Sequence, residues 1–553
     1  MGLVTKNVSP DTVQSSVRRI RHHRIVERIW QHDHTVWQPS DDEIANRLGW
    51  LHLPDAMRPR IPGIKQFVDG VRADGFRSVL LLGMGGSSLA AETYAASRRN
   101  RQHGIPLTIL DSTHPDAVRD AARALDIAHT LFIVATKSGA TAETLALYRT
   151  FYGFAAAVSS SGPTGTQFVA ITDPGSPLLS TAETYGFRQS FTNDPNLGGR
   201  YSALSLYGLV PAALLGFEIA ELLDDAEAFA SRCSDAAPEA NDTARLGALL
   251  GTLARNGADK ATFVLPEPIR SLGPWVEQLI AESTGKHGVG ILPVIDEPLA
   301  GPHAYGSDRV FIVVNPTDLD ADRQTALGAL DEAGFPILAV EAESPWSLGR
   351  EFFRWQFATA VAAHILGVNP FDQPNVESAK QATRAVIDDY QGAGRLPSIA
   401  ASMASARSLE DLLRHVTPPE YVSLQAYVPP SATFDKQLAA LRQTLRDRYR
   451  VATTAGYGPR FLHSTGQLHK GDAGGGRFVQ FVSDETVDMP IPDVAGQTGS
   501  SLSFSALIRA QAAGDRRALL DAGRRVTTLR LSNHPATDLL RASESLRSER
   551  ATR

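Results

Sequence analysis

The sequence predicts an α/β fold: two tandem doubly wound parallel-sheet domains followed by a smaller α+β C-terminal unit. Three observations carry that expectation. Short apolar runs alternate with helix-length segments at Ser78–Leu82, Leu107–Leu110, Leu131–Ala135 and Phe168–Ile171. Each run is nearly continuous in apolar character, as strands buried on both faces are. The same rhythm returns at Ala261–Leu265, Ile291–Ile295, Val310–Val314 and Ile337–Val340. Strands that alternate with helices form parallel sheets with crossover helices. Past residue 400 the composition shifts, with Thr417-Pro418-Pro419 and Pro429-Pro430 as punctuation.

The expected organisation is a helical N-terminal extension over 1–50, domains over 51–235 and 236–400, and a C-terminal unit over 401–553. An Asp/Glu/Ala-rich helical stretch, 217–258, lies between the two strand sets. Arg18, Arg19, Arg21 and Arg24 read as a solvated helix face. His32-Asp33-His34 does not read as a metal set, because adjacent helical residues face different ways. In the C-terminal unit, Leu438, Leu441, Leu445 and Tyr449 mark an amphipathic helix, Phe478–Val482 marks a strand, and the end is helical.

At 553 residues the chain is too long for one hydrophobic core. With 43% hydrophobic and 21% charged residues it reads as a soluble globular protein. A net charge of −6 argues against general nucleic-acid binding. Any anion site must draw on local groups. The single cysteine, Cys233, allows no disulfide within the chain and no thiolate metal site. A reducing cytoplasm is the expected setting. The N-terminus lacks a signal-peptide pattern, and no apolar run reaches membrane-spanning length. Phe352–Val368 is interrupted by Arg354 and His364 and reads as a buried helix.

Two strand-to-helix turns carry the chemistry. Gly83-Met84-Gly85-Gly86-Ser87-Ser88-Leu89 follows the first strand. Its glycines allow a tight turn and close approach of a ligand, and the helix start offers free N–H groups. Its spacing departs from the dinucleotide-binding fingerprint. Thr136-Lys137-Ser138-Gly139-Ala140-Thr141-Ala142-Glu143-Thr144 follows a second strand and gathers three hydroxyls. Hydroxyls there cap a helix start or cradle a phosphate. Two such turns in one parallel sheet meet at its carboxyl edge, where ligands of open α/β sheets bind.

These two turns resemble the phosphosugar turns of sugar isomerase (SIS) domains. Gly198-Gly199-Arg200-Tyr201-Ser202, Glu282-Ser283-Thr284-Gly285-Lys286 and Phe371-Asp372-Gln373-Pro374-Asn375-Val376-Glu377-Ser378-Ala379-Lys380 follow in order. Taken together over roughly 75–385, they resemble the glucose-6-phosphate isomerase family. Arg47-Leu48-Gly49-Trp50-Leu51 and Leu462-His463-Ser464-Thr465-Gly466-Gln467-Leu468-His469-Lys470 look like a branch in which the isomerase often follows a transaldolase. No transaldolase barrel is visible here, so the chain resembles the isomerase half.

The resemblance implies reversible isomerisation of glucose 6-phosphate and fructose 6-phosphate through a cis-enediol, with no cofactor and no metal. It implies a homodimer acting on a small sugar phosphate. Glu282 matches the carboxylate base that moves a proton between C1 and C2. Arg200 matches the cation that stabilises the enediolate oxygen. Lys380 matches the lysine that helps open the sugar ring, and Gln373 the glutamine near the phosphate. Gly86, Ser87, Thr136, Lys137, Ser138, Thr141 and Glu143 match the sugar and phosphate shell.

Two features depart from the family pattern. Longer members read Ser-Lys-Thr-Phe-Thr-Thr where this chain has Gly139 and Ala140 inside Thr-Lys-Ser-Gly-Ala-Thr. That turn is closer to the generic phosphosugar turn. The ring-opening histidine, lent by the neighbouring subunit in the usual pattern, also has no clean match. His303 holds its chain position in Gly301-Pro302-His303-Ala304-Tyr305, whereas His469 in Gly466-Gln467-Leu468-His469 has the better context, and His463 is a third candidate. Action on mannose 6-phosphate as well is an alternative activity. A non-catalytic phosphosugar sensor is the alternative of another class, but it has no need of Glu282, Arg200 and Lys380 together.

Overall fold

The computed structural model describes residues 2–97, 104–158, 162–341, 347–393, 402–403, 406–483 and 487–548. The chain opens on a strand, Leu3–Lys6 (β1), then turns helical over Pro10–His22 and Ile25–Trp30. Ser78–Gly83 (β2), Leu107–Leu110 (β3), Thr130–Ala135 (β4), Phe168–Thr172 (β5) and Gln189–Thr192 (β6) form a parallel sheet of order β3-β2-β4-β5-β6. Lys260–Val264 (β7), Leu292–Val294 (β8), Arg309–Val314 (β9) and Ile337–Val340 (β10) form the second sheet, of order β1-β10-β9-β7-β8. Its pairs are parallel except that β1 joins the edge antiparallel to β10.

The eight expected strands all appear, within a residue or so at each end. Two others escaped the apolar-run criterion. β6 (Gln-Ser-Phe-Thr) is a partly solvated edge strand. β1 corrects the purely helical reading of residues 1–50; it too is an edge strand with half its residues exposed.

The third unit differs more. Ser402–Met403 (β11), Tyr421–Tyr427 (β12), Ala452–Tyr457 (β13), Gly476–Ser483 (β14) and, after the hairpin of Pro490–Ile491 (β15) and Leu502–Ser503 (β16), Arg525–Leu531 (β17) complete the strands. β11, β17, β14, β12 and β13 lie in that order as one parallel sheet. Helices alternate with its strands, so the unit is wound like the other two, not segregated into sheet and helix. The sequence indicated one strand here because buried polar residues, Ser423 and Gln425 in β12, Thr453 in β13 and Thr528 in β17, interrupt the other apolar runs. The Gln480 amide donates to Asp515 at 3.1 Å, and the Thr528 hydroxyl donates to Gln480 at 3.3 Å. Buried polar groups are stable only when partnered in this way.

The helix Leu348–Leu366 is buried along almost its whole length. It packs on Asp242–Arg255 and Ile219–Cys233, with Trp275 and Tyr94 edge-on to Phe352. Its charged residues are paired: Arg354 Nε donates to Glu351 at 3.0 Å within the helix, and Arg350 pairs with Asp225 of Ile219–Cys233 at 2.7 Å. No helix among the described residues is long and apolar enough to cross a membrane.

Candidate active site

The first turn follows β2. Gly85 sits at φ +52°, a left-handed backbone that favours glycine. A Cβ on Gly86 would lie 2.2 Å from the carbonyl oxygen of Gly199, and one on Gly85 would lie 2.5 Å from that of His463. These glycines therefore let two distant segments, 199–201 and 460–463, close onto the turn. Close packing of chain is their first role, and Ser87 is left buried at the junction.

The second turn follows β4. Thr136 and Thr141 hydroxyls meet at 2.8 Å, and Ser138 Oγ accepts from the Ala140 N–H at 3.2 Å. Gly139 sits at φ +68°, and a Cβ there would stand 2.9 Å from Ser176. The glycine that departs from the longer family members is thus required by this turn's backbone. Lys137 forms an ion pair with Asp173, the residue after β5.

Glu143 opens the helix Ala142–Val158 and is buried. Its Oε1 accepts from Gln511 Nε2 at 2.8 Å and meets His463 Nε2 at 3.0 Å. Gln511 lies on the helix Phe504–Asp521 of the third unit, and the Thr113 hydroxyl donates to its Oε1 at 2.7 Å. Burial opposes charge on Glu143, but the His463 ring outweighs it and holds the carboxyl below its usual range. Burial likewise opposes charge on His463, yet Glu143, with help from Glu282, raises the imidazole above its ordinary value. The two form an ion pair.

Glu282 lies near the end of the helix Gly273–Thr284, 3% exposed. Its Oε2 accepts from Arg200 Nη1 at 3.2 Å, Gln373 Nε2 at 3.2 Å and Gln278 Nε2 at 3.4 Å. Gln278 also donates to the His463 carbonyl at 2.8 Å, tying Glu282 to the histidine segment. No hydrogen bond to Glu282 Oε1 is seen among the described residues, so one oxygen is left to accept a proton. Burial pushes the carboxyl above the usual range, and Arg200 limits the rise.

Arg200, from the short turn Gly199–Tyr201, is fixed at every nitrogen. Nε donates to Ser283 Oγ at 2.9 Å, and Nη2 donates to the carbonyls of Pro370 at 2.5 Å and Asp372 at 3.0 Å. Lys286 braces the same segment, giving Nζ to the Asn369 carbonyl at 2.7 Å and Asp372 Oδ1 at 2.6 Å. Burial pushes its ammonium down to about 7. Gln467 donates to the Gly285 carbonyl at 3.0 Å and to Asn375 Oδ1 at 2.7 Å, joining the end of the Glu282 helix to the segment that carries Gln373.

Arg200, Glu282 and Gln373 thus meet directly, and Glu143 joins them through His463 and Gln278. Gln373 lies against Glu282. Lys380, on the helix Val376–Ala393, is half exposed and stands 3.7 Å from Glu377. Its charge acts on both Glu143 and His463.

The two histidines preferred from sequence lie elsewhere. His303 is exposed in the turn Pro302–Ala304. His469 is buried in the third unit between Phe461 and Phe478, with Gln425 and Ser423 at 3.4–3.5 Å. Burial lowers its pKa well below the ordinary value. Neither hydrogen-bonds to the Glu282 cluster among the described residues; the histidine that does is His463. Context similarity ranked His469 first because nothing local to a histidine reveals a carboxylate 320 residues away. Gln278, Gln511 and Lys286 also went unassigned. Only Gln278 had a signal, its i, i+4 spacing to Glu282.

A family model described as phosphoglucose isomerase matches residues 63–307. The probable glucose-6-phosphate isomerase of Haloarcula marismortui is 31% identical over 350 residues, covering 56% of this chain and 78% of that protein. The glucose-6-phosphate isomerase of Symbiobacterium thermophilum is 27% identical over 425 residues, covering 68% of this chain and 92% of its own. Among solved structures, a hypothetical protein of Thermus thermophilus is similar at TM-score 0.59 and 25% identity, over 69% of this chain and 99% of its own. The glucose-6-phosphate isomerase of Chlamydia trachomatis shares the fold at TM-score 0.59 and 17% identity, over 71% of this chain and 90% of its own.

Proposed function

Because this chain belongs to the phosphoglucose isomerase family, we propose that it interconverts glucose 6-phosphate and fructose 6-phosphate by proton transfer between C1 and C2. The observation that carries this reading is the buried Glu282–Arg200 pair, with one carboxylate oxygen unbonded among the described residues. Glu282 takes the C2 proton of the open-chain aldose. The electron pair left behind forms the C1–C2 double bond of the enediol as negative charge gathers on O1; the O2 hydroxyl proton passes to O1, and Glu282 returns its proton to C1 as the C2 carbonyl forms, giving the ketose. Arg200 is the cation next to that charge, already desolvated and fixed, so little reorganisation accompanies the reaction.

Opening the pyranose ring calls for a proton at the ring oxygen as the C1–O5 bond breaks, while the O1 hydroxyl loses its proton to solvent. In this reading His463 delivers the ring proton, kept cationic by Glu143, and Lys380 binds the same oxygen. The usual pattern borrows this histidine from a neighbouring subunit; here the third unit of the same chain supplies one. The turns around Ser87 and Thr136–Thr141 hold the sugar and its phosphate, with the backbone of Gly86. Lys137 adds positive charge despite its pairing with Asp173. The chain acts as a cytoplasmic homodimer in this reading, which light scattering tests.

The decisive experiment is a coupled assay for glucose 6-phosphate formed from fructose 6-phosphate, with and without EDTA. Turnover indifferent to EDTA supports the reading. Absence of turnover in folded protein overturns it in favour of a phosphosugar-binding role.

A further inference from the structure

A second cavity, of about 300 Å³, opens where the carboxyl ends of all three sheets converge. Asp111 and Ser112 follow β3, Ile295 and Asp296 follow β8, and Thr454–Tyr457 end β13. That edge is where parallel sheets bind ligands. Glu282, Arg200, Glu143 and His463 are not among its lining residues.

Three of its lining residues carry oxygens that lack a partner among the described residues. Gln425 and Thr454 line it, only 1% and 4% exposed, and Gln425 Oε1 and Thr454 Oγ1 have no hydrogen-bond partner among the described residues. Glu277 contributes a carboxylate for which no hydrogen bond or ion pair is seen among the described residues. The lining guanidinium is already committed: Arg460 pairs with Asp111 at 2.8 Å and with Glu92. Asp296 is paired with Arg270 at 2.7 Å. Burial pushes the Glu277 carboxyl up to about 8, although Arg442 and Arg460 oppose the rise. A cation beside it would favour its charged form.

One segment touches both sites. Arg460, Ser464 and Thr465 line this cavity, while His463 between them turns to Glu143. Glu277 precedes Gln278, which holds both Glu282 and the His463 carbonyl.

We propose that this cavity binds a small organic ammonium ion bearing several hydroxyl donors, an amino-polyol, and that its occupancy sets the position of His463. The ammonium meets Glu277, and N–H or O–H donors satisfy Gln425 Oε1 and Thr454 Oγ1. The effect on turnover rests on the isomerase reading; the binding does not.

The test titrates the full chain by calorimetry in an amine-free buffer at neutral pH. One probe is Tris, a three-hydroxyl ammonium ion, and the other is pentaerythritol, which replaces the ammonium by a fourth hydroxymethyl group. Saturable binding of Tris, much weaker binding of pentaerythritol, and a loss of about tenfold or more in affinity in both Glu277→Gln and Thr454→Val are expected. No saturable binding of Tris, equal binding of both probes, or affinity unchanged in both variants overturns the site. Turnover of fructose 6-phosphate should respond to Tris in the parent chain and not in the variants. Binding with turnover unaffected overturns the link to His463. A chain that binds Tris but never isomerises the sugar keeps the site and rejects the function.

Discussion

Glu282 is 3% exposed and receives hydrogen bonds from Gln278 on its own helix and from two segments distant in sequence, at residues 200 and 373. Lys380, which the family resemblance assigns to the same substrate, is half exposed and stands 3.7 Å from Glu377 on its own helix. The contrast separates two tasks. Moving a proton from carbon needs a base and a cation held in fixed geometry away from water, where their fields are strong. Admitting and releasing a phosphorylated sugar needs a side that can move, and exposed ion pairs there contribute only about 0–1 kcal/mol. Buried groups should therefore govern kcat, and exposed ones KM.

The largest expected effect is at Glu282. Glu282→Gln keeps the shape and the hydrogen bonds but removes the base, so kcat should fall by about 10²–10⁴ with KM little changed. Near-normal turnover in the coupled assay would dissolve the contrast at its centre. Arg200→Lys comes next, at about 10²–10³ in kcat, because the ammonium cannot reproduce the guanidinium fork that reaches Ser283, Pro370 and Asp372 together. A thermal melt beside the assay separates lost chemistry from lost folding.

His463→Gln sharpens the comparison. A fall of about 10² in kcat is expected if the ring-opening proton comes from this residue. The pH profile gives the independent readout. Turnover should fall on the acid side as Glu282 protonates, at a pH above the usual carboxylate range because burial raises its pKa. It should fall again on the alkaline side as His463 loses its proton, above the ordinary imidazole value because Glu143 outweighs burial. His463→Gln should abolish the alkaline limb and spare the acid one. An alkaline limb that survives the substitution assigns the proton to another group.

The smallest effect is expected at Lys380. Lys380→Met should raise KM severalfold with less change in kcat, and KM of the parent should climb with salt as exposed charges are screened over a Debye length of about 10 Å. A KM flat in salt, or a kcat loss matching that of Glu282→Gln, would show that Lys380 belongs with the buried group.

Eight of the ten strands of the first two sheets were legible because each is a continuous apolar run bounded by turn residues. The third sheet was mostly illegible for the opposite reason: Ser423, Gln425, Thr453 and Thr528 lie buried in its other long strands and break their runs. Glu282, Arg200 and Gln373 were legible because each sits in a short motif with family-specific spacing. His463 was ranked below His469 and His303 because the neighbouring residues of a histidine do not reveal its charge state.

By itself, then, the sequence determined the two strand-to-helix turns, the winding of the first two sheets, and the short motifs that carry Glu282 and Arg200. These are set within one element, by side-chain periodicity, by turn backbone such as that of Gly139, and by residue spacing. Tertiary structure alone decided which histidine joins them and where its charge comes from. The His463–Glu143 pair exists because Gly85 admits the His463 carbonyl, Gln278 binds it, and Gln511 holds the carboxylate in place. An imidazole titrates near neutrality, so burial and one carboxylate together set its protonation, and both arise only when the third unit closes on the first.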